Sequence, residues 1–242
     1  MATRILVINP NTSESVTRQV LAQCRQHHQG VVWDGVTARL GAPYIATETA
    51  YAVAAHAVLE AYAEHYDGHD VVLLACFGDP GLLALQELAA VPVVGLAQSS
   101  FIAAAGHGRF GVVTGGRAWE DMLWRFARAQ QLDANLVGIY TAPLTGAQIA
   151  AQPQRATDML VSEARRAVDA GACVVLLGGA ALAGMGSALQ AHVPVPVLDN
   201  VALAAHAVVR AASGKARVSV RPLADLALQG VGAALTALLQ PG

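Results

Sequence analysis

The segment Asp70–Leu96, DVVLLACFGDPGLLALQELAAVPVVGL, has a near copy further along the chain, Cys173–Leu198, CVVLLGGAALAGMGSALQAHVPVPVL. Each reads as a VVLL strand, a loop of small residues, a helix and a VPV strand, and a single-residue gap brings them into register. A second pair precedes them: RILVINPNTSESV from Arg4 resembles RFGVVTGGRAWED from Arg109. Self-similarity of this kind predicts two copies of one α/β unit.

The rest of the chain agrees. RILVIN, DVVLLA, VPVVGL, RFGVVT, CVVLLG and VPVPVL read as strands. Ala/Leu-rich stretches of helical length lie at about 13–24, 47–65, 80–88, 119–131, 156–170 and 200–212. Strand–helix alternation predicts parallel sheet with helices on its faces. The expected fold class is α/β, with two pseudo-symmetric lobes, each a mainly parallel sheet flanked by helices. The expected division is 1–98 plus about 208–242 for the first lobe and 99–207 for the second. The tail PLADLALQGVGAALTALLQ reads as a last amphipathic helix that packs back on the first lobe. Two open lobes set a cleft where the carboxyl ends of their strands face each other.

Composition narrows the function classes. Hydrophobic residues make up 55% of the 242 and charged residues 13%, which supplies a large core and argues against disorder. The formal charge is −2 and no basic stripe stands out, so neither nucleic acid nor a membrane is an expected partner. No apolar run is long enough to span a bilayer, and MATRILVINPNTS reads as a first strand rather than a signal peptide. A cytoplasmic protein is expected. The three cysteines, Cys24, Cys76 and Cys173, lack CxxC spacing, which argues against disulfides and structural zinc. The eight histidines show no helical pairing with acidic support, so no metal is expected. TGGRAW from Thr114 is neither GxGxxG nor a P-loop, SGKA near Lys215 lacks the leading glycine spacing and no G-x-S-x-G occurs, so no nucleotide is inferred. A homo-oligomer is expected; the Ala-rich helix at 47–65 reads equally as partner-facing or core.

Four loops follow strands and precede helices, which places them at the cleft mouth. In the first, Asn11, Thr12 and Ser13 bring amide and hydroxyl groups beside a helix N-terminus, with Thr12 or Ser13 as N-cap. Such a loop suits a carboxylate or imide oxygen, and capping alone explains it equally. In the second, Asp79 reads as an N-cap and Pro80 as the first helical residue. That would put Cys76 near a helix N-terminus able to stabilise a thiolate. Cys24 and Cys173 read as core. In the third, Thr114, Gly115 and Gly116 expose backbone N–H groups able to hold an anion, with Arg117 nearby. The fourth, from Gly178, is the repeat partner of the second, and in register Gly179 answers to Cys76. Tyr44, Glu48 and Gln98 lie near element ends within reach of the cleft, but each reads equally as an ordinary surface or capping residue.

INPNTS at Ile8–Ser13, ACFGDPGL at Ala75–Leu82, VVTGG at Val112–Gly116 and LAGM at Leu182–Met185 resemble the aspartate/glutamate/hydantoin racemase superfamily, and within it the hydantoin racemase-like branch. The resemblance covers nearly the whole chain. It implies two pseudo-symmetric lobes and cofactor-free proton transfer at carbon next to a carbonyl. In typical members two cysteines flank that carbon, one as base and one as acid. The first maps to Cys76, with Phe77 and Gly78 beside it at the substrate. The substrate loop maps to Asn11, Thr12 and Ser13, and the third loop to Thr114, Gly115 and Gly116. The second cysteine falls in the loop of Gly178, Gly179 and Ala180, at Gly179, or at Leu182 when aligned from Gly184-Met185; neither is Cys. Cys173 lies about six residues upstream, about 20 Å along a strand, and cannot stand in.

Three readings follow. The first is a racemase or epimerase acting on a small carboxylate, amide or hydantoin-like substrate, with Cys76 serving one face. The second is a single-cysteine decarboxylase, lyase or ring-opening enzyme, which needs proton service on one face only. The third is a binding protein that has kept the cleft.

Overall fold

The computed structural model describes residues 2–214 and 228–239. Eight strands form two four-stranded, all-parallel sheets. The first has the order β2-β1-β3-β4, from β1 (Arg4–Asn9), β2 (Val32–Thr37), β3 (Val71–Leu74) and β4 (Val93–Gly95). The second repeats it as β6-β5-β7-β8, from β5 (Phe110–Gly115), β6 (Leu136–Ala142), β7 (Val174–Leu177) and β8 (Val197–Asp199). The described helices are α1 (Glu14–His27), α2 (Glu48–His65), α3 (Leu82–Leu88), α4 (Leu96–Ala105), α5 (Trp119–Ala129), α6 (Gly146–Ala151), α7 (Pro153–Asp169), α8 (Gly186–Gln190), α9 (Asn200–Ser213) and α10 (Ala233–Leu239). The α/β class and the pseudo-symmetry inferred from the repeat are therefore present.

Both faces of each sheet are covered, which explains why the central strands are continuous apolar runs. Side chains alternate along a strand. Ile5, Val7, Val71 and Leu73 join Phe110, Val112, Val174 and Leu176 in one core shared by the two sheets. Leu6, Ile8, Val72 and Leu74 face outward into a cluster under α2, α3 and α10. Val113, Val175 and Leu177 do the same in the second lobe. Phe101 of α4 anchors the shared core, with its ring 5.7 Å from Phe77, 5.7 Å from Phe110 and 5.5 Å from Phe126. Each such fully buried ring contributes about 1.5–3 kcal/mol of transfer free energy. α4 and α9 pack on each other between the lobes. α10 docks on α2, where Gly232 N–H donates to Glu60 Oε1 at 2.7 Å. The stretch 215–227, which contains the start of the expected tail helix, lies outside the described residues.

The structure corrects several expectations. The repeat register slips by two residues at its end. Val72 pairs with Val93 and Val175 with Val197, so Pro92 answers to Pro196 rather than Pro194. VPVPV contains two VPV triplets, and the strand starts at the last valine of the second. α3 begins at Leu82 behind Gly81, whose φ is +78°, so Asp79 is not its N-cap and Pro80 not its first residue. Asp79 itself has φ +50° and serves another helix, as described below. Cys173 is exposed rather than core, because it stands just before β7, where its Sγ lies 3.0 Å from the Arg109 carbonyl. Cys24 is buried as expected. Among the described residues no helix is long and apolar enough to cross a membrane, and no group of three or more His, Cys, Asp or Glu side chains is placed to hold a metal ion.

Candidate active site

The carboxyl ends of β1, β3, β5 and β7 converge on one cavity of about 340 Å³ between the lobes. Cys76, Asn11, Ser13, Phe77, Thr114, Gly115, Gly179 and Ala180 line it. Thr12, Gly78, Gly116 and Gly178 are not among its lining residues. They have other work. Thr12 N–H donates to the Ala42 carbonyl at 3.1 Å, and Gly116 N–H donates to Ala142 at 2.8 Å, so that amide is not free for an anion. A Cβ on Gly78 would stand 2.6 Å from the Trp119 ring, and one on Gly178 would collide with Phe77. Both glycines are where a ring from the other lobe packs against backbone.

The loop of Asn11, Thr12 and Ser13 is held from below. Asn9, fully buried, donates through Nδ2 to Asn11 Oδ1 at 2.9 Å, the Ser13 carbonyl at 3.1 Å and Thr17 Oγ1 at 3.0 Å. Ser13 N–H also donates to Asn11 Oδ1, at 2.8 Å. Asn11 thus commits its oxygen to the loop and retains its NH₂ as a donor. Ser13 is the N-cap of α1 by backbone, but its hydroxyl bonds Ser15 Oγ at 2.9 Å rather than the helix.

Cys76 follows β3 by two residues and is 6% exposed. Burial, with the Asp79 charge added, pushes its thiol well above the usual range. The helix expected to start beside it, α3, starts six residues on. The expected electrostatic help for a thiolate is therefore not there. Asp79 instead reaches across to α4, accepting from Ala97 N–H at 2.9 Å and Gln98 N–H at 2.7 Å. Burial pushes its carboxyl up to about 7, against the pull of those amides.

Sequence reasoning missed a whole wall. Ser15, Val16 and Gln19 line the cavity from α1, and their i, i+1, i+4 spacing on the helix after the Asn11–Ser13 loop was a usable signal. Gln19 Nε2 donates to the carbonyls of Ala181 at 3.2 Å and Ala183 at 3.0 Å, clasping the fourth loop. Tyr44 lines the opposite side and donates to the Gly115 carbonyl at 3.2 Å. Its phenol is pushed up by burial. Glu48 instead pairs with Arg125 at the surface, and the Gln98 side chain bonds Gln130. Trp119, Thr145, Ile149 and Leu182 complete the apolar side. Arg117 does not line the cavity, and among the described residues no Asp, Glu, Lys, Arg or His side chain does.

Residues 5–208 match the model of the family described as Asp/Glu/Hydantoin racemase. The chain belongs to that family. A hydantoin racemase from Pseudomonas sp. (strain NS671) is 31% identical over 205 residues, covering 82% of this chain and 81% of its own. An allantoin racemase structure from Klebsiella pneumoniae superposes with a TM-score of 0.83 at 29% identity, over 98% of both chains. One from Pseudomonas fluorescens gives 0.85 at 26% identity, over 93% of this chain and all of its own. Within this Asp/Glu/hydantoin racemase family member, Gly179 stands at the repeat counterpart of Cys76.

Proposed function

We propose that this chain is a cofactor-independent racemase or epimerase of the hydantoin racemase-like branch, moving a proton at a carbon next to a carbonyl with Cys76 as the thiol/thiolate acid–base. The observation that carries the reading is the placement of Cys76 on the wall of an interlobe cavity that no charged side chain among the described residues lines. Such a lining favours a neutral amide or cyclic ureide over a carboxylate, which would be desolvated without a cation to pair it. The hydantoin and allantoin racemases among the relatives fit that class.

The raised thiol suits the chemistry. A thiolate formed here is strongly basic and is matched to a weakly acidic C–H. As the proton leaves, negative charge builds on the carbonyl oxygen. The Asn11 NH₂ is a donor on the lining that can receive it.

Gly179 favours a second reading, a single-thiol decarboxylase, lyase or ring-opening enzyme serving one face only. The test is incubation with enantiopure 5-benzylhydantoin and allantoin, followed by chiral chromatography. Inversion that falls about a hundredfold or more in Cys76→Ser supports the first reading. Carbon dioxide release from an arylmalonic acid, or a covalent Cys76 adduct with no inversion, supports the second.

A further inference from the structure

We propose that Thr114 supplies the second proton-transfer face, its hydroxyl standing in the place a second thiol would take. This rests on the racemase reading above. A Cβ built on Gly179 would lie 3.6 Å from Thr114 Oγ1 and 3.4 Å from Leu182 Cδ1. The absence of a side chain at 179 therefore uncovers the Thr114 hydroxyl on the second-lobe wall of the cavity that Cys76 lines from the first lobe.

The other hydroxyls on that lining are engaged. Ser13 and Ser15 bond each other on the first lobe at 2.9 Å. Tyr44 donates to Gly115 O at 3.2 Å. Thr145 closes a capping box with Gln148 at the start of α6. Thr114 is 4% exposed, and its hydroxyl makes no hydrogen bond to another described residue, so it presents both a proton and lone pairs to the cavity.

The proton balance closes with water as the only co-reactant. The Cys76 thiolate takes the α-proton and becomes a thiol, while the C–H electron pair moves into the carbonyl as an enolate. That pair returns to carbon as it captures the Thr114 proton on the opposite face. An enolate of an amide carbonyl is basic enough to take a proton from an alcohol. The Thr114 alkoxide recovers its proton from a water at the cavity mouth, and the hydroxide formed takes the Cys76 proton, restoring the starting state.

The test follows inversion by chiral chromatography and α-deuterium uptake by proton NMR, in D₂O, for wild type, Thr114→Val and Thr114→Ser. The probes are enantiopure 5-benzylhydantoin and allantoin. Inversion per exchange event should fall about a hundredfold in Thr114→Val and return in Thr114→Ser. Thr114→Val keeps the shape, and Thr114→Ser reports on the hydroxyl if packing suffers. An unchanged ratio in Thr114→Val overturns the proposal. Exchange with full retention in wild type overturns it too, while leaving Cys76 as a one-face catalyst. No exchange in wild type with either probe overturns the racemase reading and this one with it.

Discussion

The carboxylate of Asp79 fills the space that a side chain on Gly95 would need. It reaches past Gly95 to the first amides of α4, those of Ala97 and Gln98. The second lobe meets the same demand differently. Asp199, which stands where Gly95 does, caps α9 itself through Val201 N–H at 2.9 Å and Ala202 N–H at 3.3 Å. It also receives Gly184 N–H at 2.9 Å, so it ties down the fourth loop from the strand end. A helix N-terminus wants an acceptor in either lobe; in the first the acceptor comes from the cysteine loop.

That arrangement makes Asp79 a pH-dependent element of stability. Its folded value, about 7, lies above the 3.8 of the free side chain. Between those values the folded state holds more protons than the unfolded one, so this contribution is complete below 3.8 and is lost as pH rises through about 7. The titratable groups facing it are Cys76 and, from α2, Tyr51, with Arg125 of α5 over the Tyr51 ring at 5.1 Å. Thermal unfolding of Asp79→Asn should gain on wild type as pH rises across that window. A variant that loses ground instead would mean that the α4 amides outweigh burial.

Thiol labelling should separate the three cysteines. Cys173 is exposed and should react first with iodoacetamide in the native protein. Cys76 is buried with a raised thiol and should react slowly, its rate still climbing above pH 9. Cys24, raised to about 12 and buried away from the cavity, should react only on unfolding. Mass spectrometry of timed digests reads the order, and fast modification of Cys76 at neutral pH would contradict it.

Gly179→Cys should raise inversion and make it insensitive to Thr114→Val. The new Cβ meets only ordinary contacts, but the backbone there has φ +134°, so about 1–3 kcal/mol of stability should be lost. A folded variant with no gain would place the second face elsewhere.

Gly178→Ala tests the interlobe packing. A methyl there drives into the Phe77 ring, which neighbours Cys76 and packs on Phe101. The cost should be about 1–3 kcal/mol in unfolding free energy, with activity falling as Cys76 shifts. Wild-type stability in denaturant would show that the ring has room to move.

Much of this was legible in the sequence because the repeat wrote the same strand–loop–strand unit twice. Two of the four edge strands, β2 and β6, were not. VWDGVT of β2 and LVGIYTA of β6 are half-exposed and interrupted by glycine, so neither gives a continuous apolar run. α4 was hidden because it leaves β4 without a turn and has no local cap; its acceptor sits eighteen residues earlier, at Asp79. The Asp79-Pro80 pair looked like a helix start for the same reason, since the capping chemistry was real but aimed at a different helix. Cys76 and Gly179 were found because they follow strands, and Thr114 because it stands near the end of one. Thr145 and Ile149 came from the start and body of a short helix whose path no local pattern predicts.

Gln19 holds the fourth loop by the carbonyl oxygens of Ala181 and Ala183, and every residue carries such an oxygen. The spacing of the lobes is thereby insulated from which side chains that loop displays. Residue 179 can be exchanged while the wall bearing Cys76 keeps its distance, so the far face of the reaction is open to evolutionary trial on an unchanging frame.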